Sequence, residues 1–196
     1  QRELFLLEGQ SAGGTLQLAR DINIHALLPL RGKVLNVLNA DKAKILNNKT
    51  LMNIFTAINV KPFSTDLSGL RYGKIVILCD ADPDGSHIAA LLISMFDYCV
   101  PQLIDDGNLY VVETPLFGYY QKKQFMPIYD ENDLEEIRKT NTQIYRYKGL
   151  GEMEPNELAV CALHPQYRKL IQVMRIEGQI TVQDVWNDRS SLVNEY

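Results

Sequence analysis

Three aspartates stand at alternate positions in the stretch CDADPDGSH, which covers residues 79–87. Asp80, Asp82 and Asp84 repel one another unless a cation lies among them. Their carboxylates offer hard oxygen ligands rather than nitrogen or sulfur, and such ligands favour Mg²⁺ or Ca²⁺. The stretch therefore predicts a site for a divalent cation.

A fourth carboxylate, Glu8, stands at the end of another apolar run. Residues 4–7 and the run KIVIL, residues 74–78, both have the composition of buried strands, and each is followed by an acidic side chain. In open α/β sheets, ligands bind at the carboxyl ends of the strands, so we expect Glu8 to lie beside the aspartates. Four carboxylates there would bind one or two Mg²⁺ and act on phosphate esters, because the metal offsets the charge of the ligands and of the phosphate oxygens.

Three other interpretations of the acidic stretch are possible. An EF-hand loop starts with the same D-x-D-x-D-G pattern, but its twelfth position needs a glutamate and here holds Leu91, and a β-rich run precedes it. A Mg²⁺-dependent phosphotransferase of the DxD type would use Asp80 as the nucleophile and Asp82 as the acid/base. A solvated turn would need only Asp84, as the N-cap of the helix that follows. The last two interpretations stay open at this point.

Strand, loop and helix patterns alternate along the chain, which indicates an α/β domain with a largely parallel sheet. The spacing predicts strands at 4–7, 74–78, 109–113 and 143–147, and an extended segment or hairpin at 115–129. It predicts helices at 15–20, 41–46, 51–58, 85–103 and 130–139, with further helices starting at 154 and at 164. Residues 27–33 combine apolar residues with Pro and Gly and predict an ordered loop.

The composition excludes several classes of protein. Twenty basic against 24 acidic side chains give a formal net charge of −4, so any contact with a polyanion must be local or mediated by metal. Three widely spaced cysteines with apolar neighbours predict reduced core thiols in an intracellular protein, and no zinc-binding pattern is present. Residues 88–100 are too few to span a bilayer, and no signal peptide is visible. Because the chain starts without Met, we interpret it as part of a longer protein.

Glu8-Gly9 at one strand end and Asp80-x-Asp82-x-Asp84-Gly at another resemble the TOPRIM domain of topoisomerases and primases. Five blocks narrow the resemblance to the B-type subunit of type IIA DNA topoisomerases, the gyrase B and topoisomerase IV B class. They are EGQSAGG at 8–14, PLRGKVLNV at 29–37, LRY at 70–72, DADPDGSHI at 80–88 and YKGLGEM at 147–153. The blocks occur in the order that the family has and span most of the chain.

The resemblance implies a Rossmann-like TOPRIM fold with a mainly parallel central sheet flanked by helices. Residues 1–164 would form the metal-binding and DNA-cleavage domain, and residues 165–196 a helical extension or tail. In this family a tyrosine on an A-type partner subunit attacks double-stranded DNA, while TOPRIM supplies Mg²⁺, for which Mn²⁺ or Ca²⁺ substitutes, and a general acid. ATP would bind a domain upstream, and the subunits would form a heterotetramer in the cytoplasm of a bacterium, or of an infected host cell for a phage enzyme.

The resemblance also assigns roles to single residues. Glu8 matches the catalytic acid/base and a metal ligand, Asp80 and Asp82 match the main metal ligands, and Asp84 matches a supporting ligand. The candidates for DNA contact are Lys33 and Asn36, with Arg31 beside them, and, as weaker candidates, Arg20, Ser86, His87 and Lys148. For His87, a hydrogen bond that braces the acidic loop is an equal alternative. The pairs Arg71-Tyr72 and Arg146-Tyr147 are interpreted as structural rather than as the nucleophile.

The chain departs from the family pattern at three places. Gln10 stands where the family has Asp, which removes a negative charge beside Glu8 and leaves drug sensitivity open, and Pro83 should stiffen the acidic loop. Residues 186–196 replace the usual segment after TOPRIM, which indicates a divergent branch such as a phage enzyme. A primase or a type IA topoisomerase is a further alternative, disfavoured by RGKVLN and YKGLGE. An assembly module that binds only structural Mg²⁺ is another.

Overall fold

The computed structural model describes residues 1–9, 11–31 and 34–175, apart from the side chain of Ser11. The strands are β1 (Glu3–Glu8), β2 (His25–Leu30), β3 (Lys74–Leu78), β4 (Leu109–Glu113), β5 (Phe117–Gln121), β6 (Gln124–Ile128), β7 (Ile144–Arg146) and β8 (Lys169–Gln172). The helices are α1 (Ser11–Ala19), α2 (Lys42–Leu46), α3 (Lys49–Ile58), α4 (Pro83–Cys99), α5 (Gln102–Asp105), α6 (Glu131–Lys139) and α7 (Pro155–Ala162). Short 3₁₀ turns cover Val37–Asn39 and Leu150–Glu152.

The main sheet has five strands in the order β2-β1-β3-β4-β8. The first four are parallel, and β8 runs antiparallel to β4 at the edge. In the register of β1 with β3, Leu7 lies opposite Leu78, so Glu8 and the acidic stretch leave the sheet at the same edge. The predicted α/β class with a mainly parallel central sheet is confirmed.

Both faces of the main sheet are buried, which explains why its central strands are apolar at consecutive positions. In β1, Leu4 and Leu6 pack into the core on one face, while Phe5 and Leu7 pack into the core on the other. Helices α3 and α4 cover the first face, and α1 and α7 cover the second. Cys79, Cys99 and Cys161 are buried thiols, as the prediction of core thiols requires. None of the described helices has the length and apolar character needed to cross a bilayer.

A second, three-stranded antiparallel sheet has the order β6-β5-β7. Strands β5 and β6 form a hairpin, which confirms the hairpin predicted within residues 115–129. Strand β7 pairs with the other edge of β5 and leads through Tyr147 into the loop of residues 148–152. The second sheet therefore anchors the segment that follows β7.

Three predicted elements have different bounds in the structure. The loop predicted at 27–33 was wrong in its first part, because His25–Leu30 forms β2 and pairs with β1 along its whole length. Pro29 is compatible with this strand because β2 is an edge strand, where a missing N–H leaves no partner unpaired. The helix predicted at 85–103 is divided after Cys99, with Pro101 between α4 and α5. Helix α1 starts at Ser11, four residues before the predicted start.

The segment after residue 164 also differs from the prediction. Residues 165–167 form a turn, where a helix was expected, and Lys169–Gln172 joins the main sheet as β8. The helix predicted to start at residue 164 is therefore wrong for these residues, whereas the domain boundary predicted at residue 164 stays a prediction. Arg175 fixes the last described residues to α4 and α5 through ion pairs with Asp97 (2.6 Å) and Asp105 (2.7 Å). Residues 176–196, and with them the predicted tail, lie outside the described residues.

A buried ion pair ties the approach to β8 to the first strand. The Glu3 carboxylate is 5% exposed and accepts two hydrogen bonds from Arg168, from Nη1 at 2.5 Å and from Nη2 at 2.8 Å. Lys74 Nζ lies 3.5 Å from the same carboxylate. Burial by itself raises the pKa of Glu3, but the hydrogen bonds and charge of Arg168, together with Lys74 and His25, outweigh it, so the pKa is lowered. The amino edge of the sheet therefore holds a compensated negative charge.

We expect Arg168→Met to lower the free energy of unfolding by about 3 kcal/mol, because it leaves Glu3 buried without its main partner. Arg138→Met is the matched control, since Arg138 pairs with Glu135 at 2.6 Å where both side chains are 55% exposed. The control should lose less than about 1 kcal/mol. Urea denaturation measures both values, and equal losses would contradict a special role for the buried pair.

The effect of Arg168→Met should also depend on pH. Because the pKa of Glu3 is lowered on folding, the stabilisation is complete above the pKa of an unfolded glutamate, about 4.3. It is lost as the pH falls through the lowered folded pKa. The difference between wild type and variant should therefore shrink in strongly acidic buffer.

Candidate functional site

Glu8 and Asp80 meet at the carboxyl edge of the main sheet. Glu8 is the last residue of β1, and Asp80 follows β3 by two residues. The backbone N–H of Asp80 donates to Glu8 Oε2 at 3.3 Å. Burial raises the pKa of Glu8, and the charges of Asp80, Asp82 and Asp84 raise it further against the opposing effect of this hydrogen bond. The two acidic strand ends therefore meet as predicted, and no described cation compensates their negative charge.

A distant loop orients Asp80. The backbone N–H of Leu150 donates to Asp80 Oδ1 at 2.7 Å, across 70 residues of sequence. The same loop is closed by the Lys148 N–H, which donates to Glu152 Oε2 at 2.7 Å. Burial raises the pKa of Asp80, the Leu150 hydrogen bond opposes this, and the charges of Asp82 and Glu152 add to it. Residues 148–152 therefore form one wall of the site.

Asp82 has a structural role in addition to its charge. It is the N-cap of α4, and its Oδ1 accepts from the Gly85 N–H at 2.7 Å. Pro83 follows at the first helical position, where its fixed φ and missing N–H fit the helix start. The alternative that made Asp84 the N-cap is therefore wrong. Asp84 is exposed in the first turn of α4, where its negative charge interacts favourably with the helix dipole.

Two glycines allow the backbone to approach Asp80. A Cβ on Gly85 would overlap the Asp80 carbonyl oxygen, and a Cβ on Gly149 would lie 2.9 Å from Asp80 Oδ2. A side chain at position 85 would have to displace the Asp80 backbone, and one at position 149 would have to displace the Asp80 carboxylate. The start of α4 and the loop of residues 148–152 are therefore packed directly against Asp80.

The donor atoms at this edge fit a hard divalent cation. All are carboxylate oxygens, and the raised pKa values of Glu8 and Asp80 show negative charge that no described cation offsets. Within the described residues, no three acidic, histidine or cysteine side chains converge as a preformed metal cage. Mg²⁺ does not need one, since it is commonly held by one or two carboxylates, with water and substrate phosphate completing its shell. Glu8 and Asp80 are therefore the candidate residues to hold such an ion.

Some of the predicted DNA-contacting residues lie around this edge. The Lys148 side chain is exposed on the loop that contacts Asp80, and Ser86 lines a cavity of about 280 Å³ together with Asp80. His87 is exposed on α4, and its ring makes no hydrogen bond to the described part of the chain, so the bracing role suggested for it is not found. Asn36 is exposed, and its Oδ1 accepts from the Leu38 N–H at 3.1 Å to cap the first 3₁₀ turn.

Of the three remaining candidates, Arg31 leaves the sheet at the same carboxyl edge, next to Leu30, which pairs with Glu8, whereas Arg20 lies at the amino edge and Lys33 is not described. Arg31 is exposed after the end of β2, and its carbonyl accepts from the Thr50 hydroxyl at 3.3 Å. Arg20 follows α1 and donates to the His25 carbonyl at 3.0 Å, at the amino edge of the sheet and away from the carboxylates. Lys33, together with Gln10, lies outside the described residues.

The sequence did not reveal which parts of YKGLGE contact the acidic stretch. The Leu150 N–H binds Asp80, Gly149 makes room for it, and Glu152 adds a further negative charge nearby. The motif was noticed only as part of a resemblance. A main-chain donor has no side-chain signature, so residue type alone does not indicate this contact.

Comparison with known proteins fits this architecture. The family described as "Toprim domain" matches residues 3–114, and the family described as "DNA gyrase B subunit, carboxyl terminus" matches residues 139–188. The chain therefore belongs to the Toprim domain family.

The particular branch follows from individual relatives. The chain is 43% identical to the B subunit of DNA topoisomerase 4 from Francisella tularensis, over 97% of its length and 30% of the relative. It is 43% identical to the same subunit from Haemophilus influenzae (87% of this chain, 28% of the relative) and 41% identical to the DNA gyrase B subunit of Spiroplasma citri (87% and 28%). The resemblance to B subunits of type II topoisomerases is confirmed, and the chain spans about three-tenths of the length of these relatives.

A solved structure supports the same assignment. The chain superposes with a TM-score of 0.68 and 29% identity on the Plasmodium falciparum topoisomerase II DNA-binding, cleavage and re-ligation domain. The match covers 80% of this chain and 23% of that one.

Gly85→Ala should lower the free energy of unfolding by about 1–3 kcal/mol, because the new Cβ meets the Asp80 backbone. Gly14→Ala is the matched control. It is also a helical glycine, a Cβ added there would have no atom within 4 Å, and the variant should gain about 0.5–1 kcal/mol. Urea denaturation of both variants compares the two positions. A gain at Gly85 equal to that at Gly14 would rule out the close approach.

Glu8→Gln should raise the melting temperature in metal-free buffer at neutral pH. Because the pKa of Glu8 is raised on folding, ionisation of Glu8 lowers the stability of the folded chain. This loss of stability grows as the pH rises from the unfolded pKa to the folded pKa, and it stays constant at higher pH. Glutamine removes the charge and keeps an oxygen that accepts from the Asp80 N–H. Glu135→Gln, an exposed carboxylate on α6, should bring no increase. A Glu8→Gln melting temperature at or below that of wild type would rule out repulsion at this edge.

Proposed function

We propose that this chain is the Mg²⁺-binding part of the cleavage and religation core of a type II DNA topoisomerase. The observation that carries the proposal is the meeting of Glu8 and Asp80 at the carboxyl edge of a Toprim sheet, joined by a 3.3 Å hydrogen bond and short of positive charge. The reaction is reversible transesterification of DNA by a tyrosine that belongs to an A-type partner subunit.

Mg²⁺ held at this edge would offset the charge of the carboxylates and of the phosphate oxygens. Glu8 and Asp80 would be its main ligands, Asp82 would contribute the oxygen that does not cap α4, and Asp84 would support them by charge. Mn²⁺ or Ca²⁺ would bind the same oxygens.

Glu8 is also the proposed general acid. The tyrosine hydroxyl would lose its proton to water as its oxygen attacks phosphorus. As the phosphorus–tyrosine bond forms and the bond to the DNA 3′ oxygen breaks, a Glu8 carboxyl oxygen would give its proton to the departing 3′ oxygen. In religation the 3′ hydroxyl would return the proton to Glu8 and attack phosphorus, and the tyrosine oxygen would leave and take a proton from water. In the metal-free domain, burial and the charges of Asp80, Asp82 and Asp84 raise the pKa of Glu8.

The proposed DNA contacts are local, as the net charge of −4 requires. Lys148 would approach the backbone beside Asp80, and Arg31, Lys33 and Asn36 would contact phosphates from the segment after β2. Ser86 and His87, on the first turns of α4, complete this face. Arg20 lies at the opposite edge of the sheet, so in our proposal it does not belong to the same DNA surface.

In our proposal, the ATP-binding domain and the catalytic tyrosine of the topoisomerase lie outside this chain. The relatives are more than three times as long, which leaves room for an ATP-binding domain in the same polypeptide. An A-type subunit would supply the tyrosine, in a heterotetramer.

The phosphotransferase alternative is less well supported by the geometry. It requires Asp80 to attack a substrate, whereas its Oδ1 accepts a hydrogen bond from Leu150 and its Oδ2 lies against Gly149. The two hypotheses differ in their substrates, since a phosphotransferase would release phosphate from a small ester without DNA or a partner.

We expect Glu8→Gln and Asp80→Asn each to reduce Mg²⁺-dependent cleavage of supercoiled DNA by at least about a hundredfold, because Glu8 is the proposed general acid, which typically contributes that much, and Asp80 is a proposed main ligand of the metal. The measurement uses the complete B-type subunit assembled with its A-type partner. Glu135→Gln removes an exposed carboxylate far from the sheet edge in sequence and should cleave as wild type does. Undiminished cleavage by both site variants would overturn the proposal.

A further inference from the structure

Glu157 is a buried carboxylate outside the site described above. It is 4% exposed, on the first turn of α7. Among the described residues, no Lys, Arg or His forms an ion pair with it. Removing such a charge from water is costly unless hydrogen bonds compensate for it, so the donors around Glu157 indicate what it stabilises.

Three donors surround this carboxylate. The hydroxyls of Tyr120 and Tyr147 both donate to Oε1, at 2.7 Å and 2.8 Å. The backbone N–H of Glu154 donates to Oε2 at 2.9 Å, as part of the capping box that starts α7. Hydrogen bonds to a charged acceptor are stronger than those between neutral groups. Glu157 therefore holds two tyrosines and the start of its own helix together.

The two tyrosines are not equivalent. Tyr120 lies on β5 and is 41% exposed, so water can replace its contact. Tyr147 is 7% exposed, its ring packs edge-on against Phe125 at 6.0 Å, and its backbone N–H donates to the Leu116 carbonyl at 2.9 Å. Only Tyr147 is continuous with the loop of residues 148–152.

That loop leads directly to Asp80. Three residues after Tyr147, the Leu150 N–H donates to Asp80 Oδ1 at 2.7 Å, and Gly149 lies against Asp80 Oδ2. The path from Glu157 to Asp80 therefore consists of one hydroxyl hydrogen bond, three residues of chain and one backbone hydrogen bond. Displacement of Tyr147 would move the donor that fixes Asp80.

We propose that Glu157 is a positioning residue for the metal site, acting through the Tyr147 hydroxyl and the loop of residues 148–152 to orient the Asp80 carboxylate. The inference rests on the proposed function, in which Asp80 binds the catalytic metal. It assigns to the buried carboxylate a role beyond the stability of α7.

The test compares Tyr147→Phe with Tyr120→Phe in the complete B-type subunit assembled with its A-type partner. Each variant removes one hydroxyl from the same oxygen of Glu157, but only the first hydroxyl belongs to the chain segment that reaches Asp80. In metal-free protein, Tyr147→Phe should speed hydrogen exchange of the amides of residues 148–152 by about three- to tenfold, the effect of one lost hydrogen bond. Tyr120→Phe should leave this exchange unchanged.

The second readout is the response to Mn²⁺. Tyr147→Phe should raise the Mn²⁺ concentration for half-maximal DNA cleavage by about three- to tenfold, with the rate at saturating Mn²⁺ close to that of wild type. Electron paramagnetic resonance of bound Mn²⁺ should show the same shift. Glu157→Gln, which keeps an acceptor oxygen for both hydroxyls, should have a smaller effect than Glu157→Leu.

Either of two results would overturn the inference: Tyr147→Phe with the exchange and Mn²⁺ response of wild type, or Tyr120→Phe with shifts as large as those of Tyr147→Phe. Failure of the proposed function is visible separately. It would appear as wild-type cleavage that needs no divalent metal, or as Asp80→Asn that cleaves normally.

Discussion

The parallel pairing of β1 with β3 is the constraint on which this site depends. Because Leu7 lies opposite Leu78, Glu8 and Asp80 both follow paired positions and lie together at the carboxyl edge of the sheet. Burial and like charge raise the pKa of both groups, so the metal-free domain carries an unfavourable arrangement. The apolar central strands, buried on both faces, hold the two carboxylates there despite their repulsion.

Negative charge is compensated at one edge of the main sheet and uncompensated at the other. At the amino edge, Arg168 compensates the buried carboxylate of Glu3 and lowers its pKa. At the carboxyl edge, the pKa of Glu8 is raised, and no described cation neutralises it. Uncompensated negative charge at the carboxyl edge suits a cation-binding site, because the bound cation would supply the positive charge that the protein does not. The compensated amino edge needs no such ion.

The features predicted from sequence were those encoded by local pattern. KIVIL indicated β3, and a carboxylate after each of two apolar runs was enough to predict the meeting of Glu8 and Asp80. Strand β2 was missed because Pro29 argues against a strand until its position at the sheet edge is known. Strand β8 was missed because its four residues have little apolar pattern of their own. They form a strand by pairing with β4, which local sequence does not indicate. The Leu150 contact with Asp80 joins residues 70 positions apart through a main-chain donor, and no residue pattern indicates such a bond.

Locating the metal tests the proposed site most directly. Crystals of the assembled B-type and A-type subunits on nicked DNA, grown with Mn²⁺, would show its position by anomalous scattering. We expect Mn²⁺ in direct contact with carboxylate oxygens of Glu8 and Asp80, with DNA phosphate in the same coordination shell. Cleavage-competent crystals in which Mn²⁺ binds elsewhere, with neither carboxylate as a ligand, would contradict the proposed site.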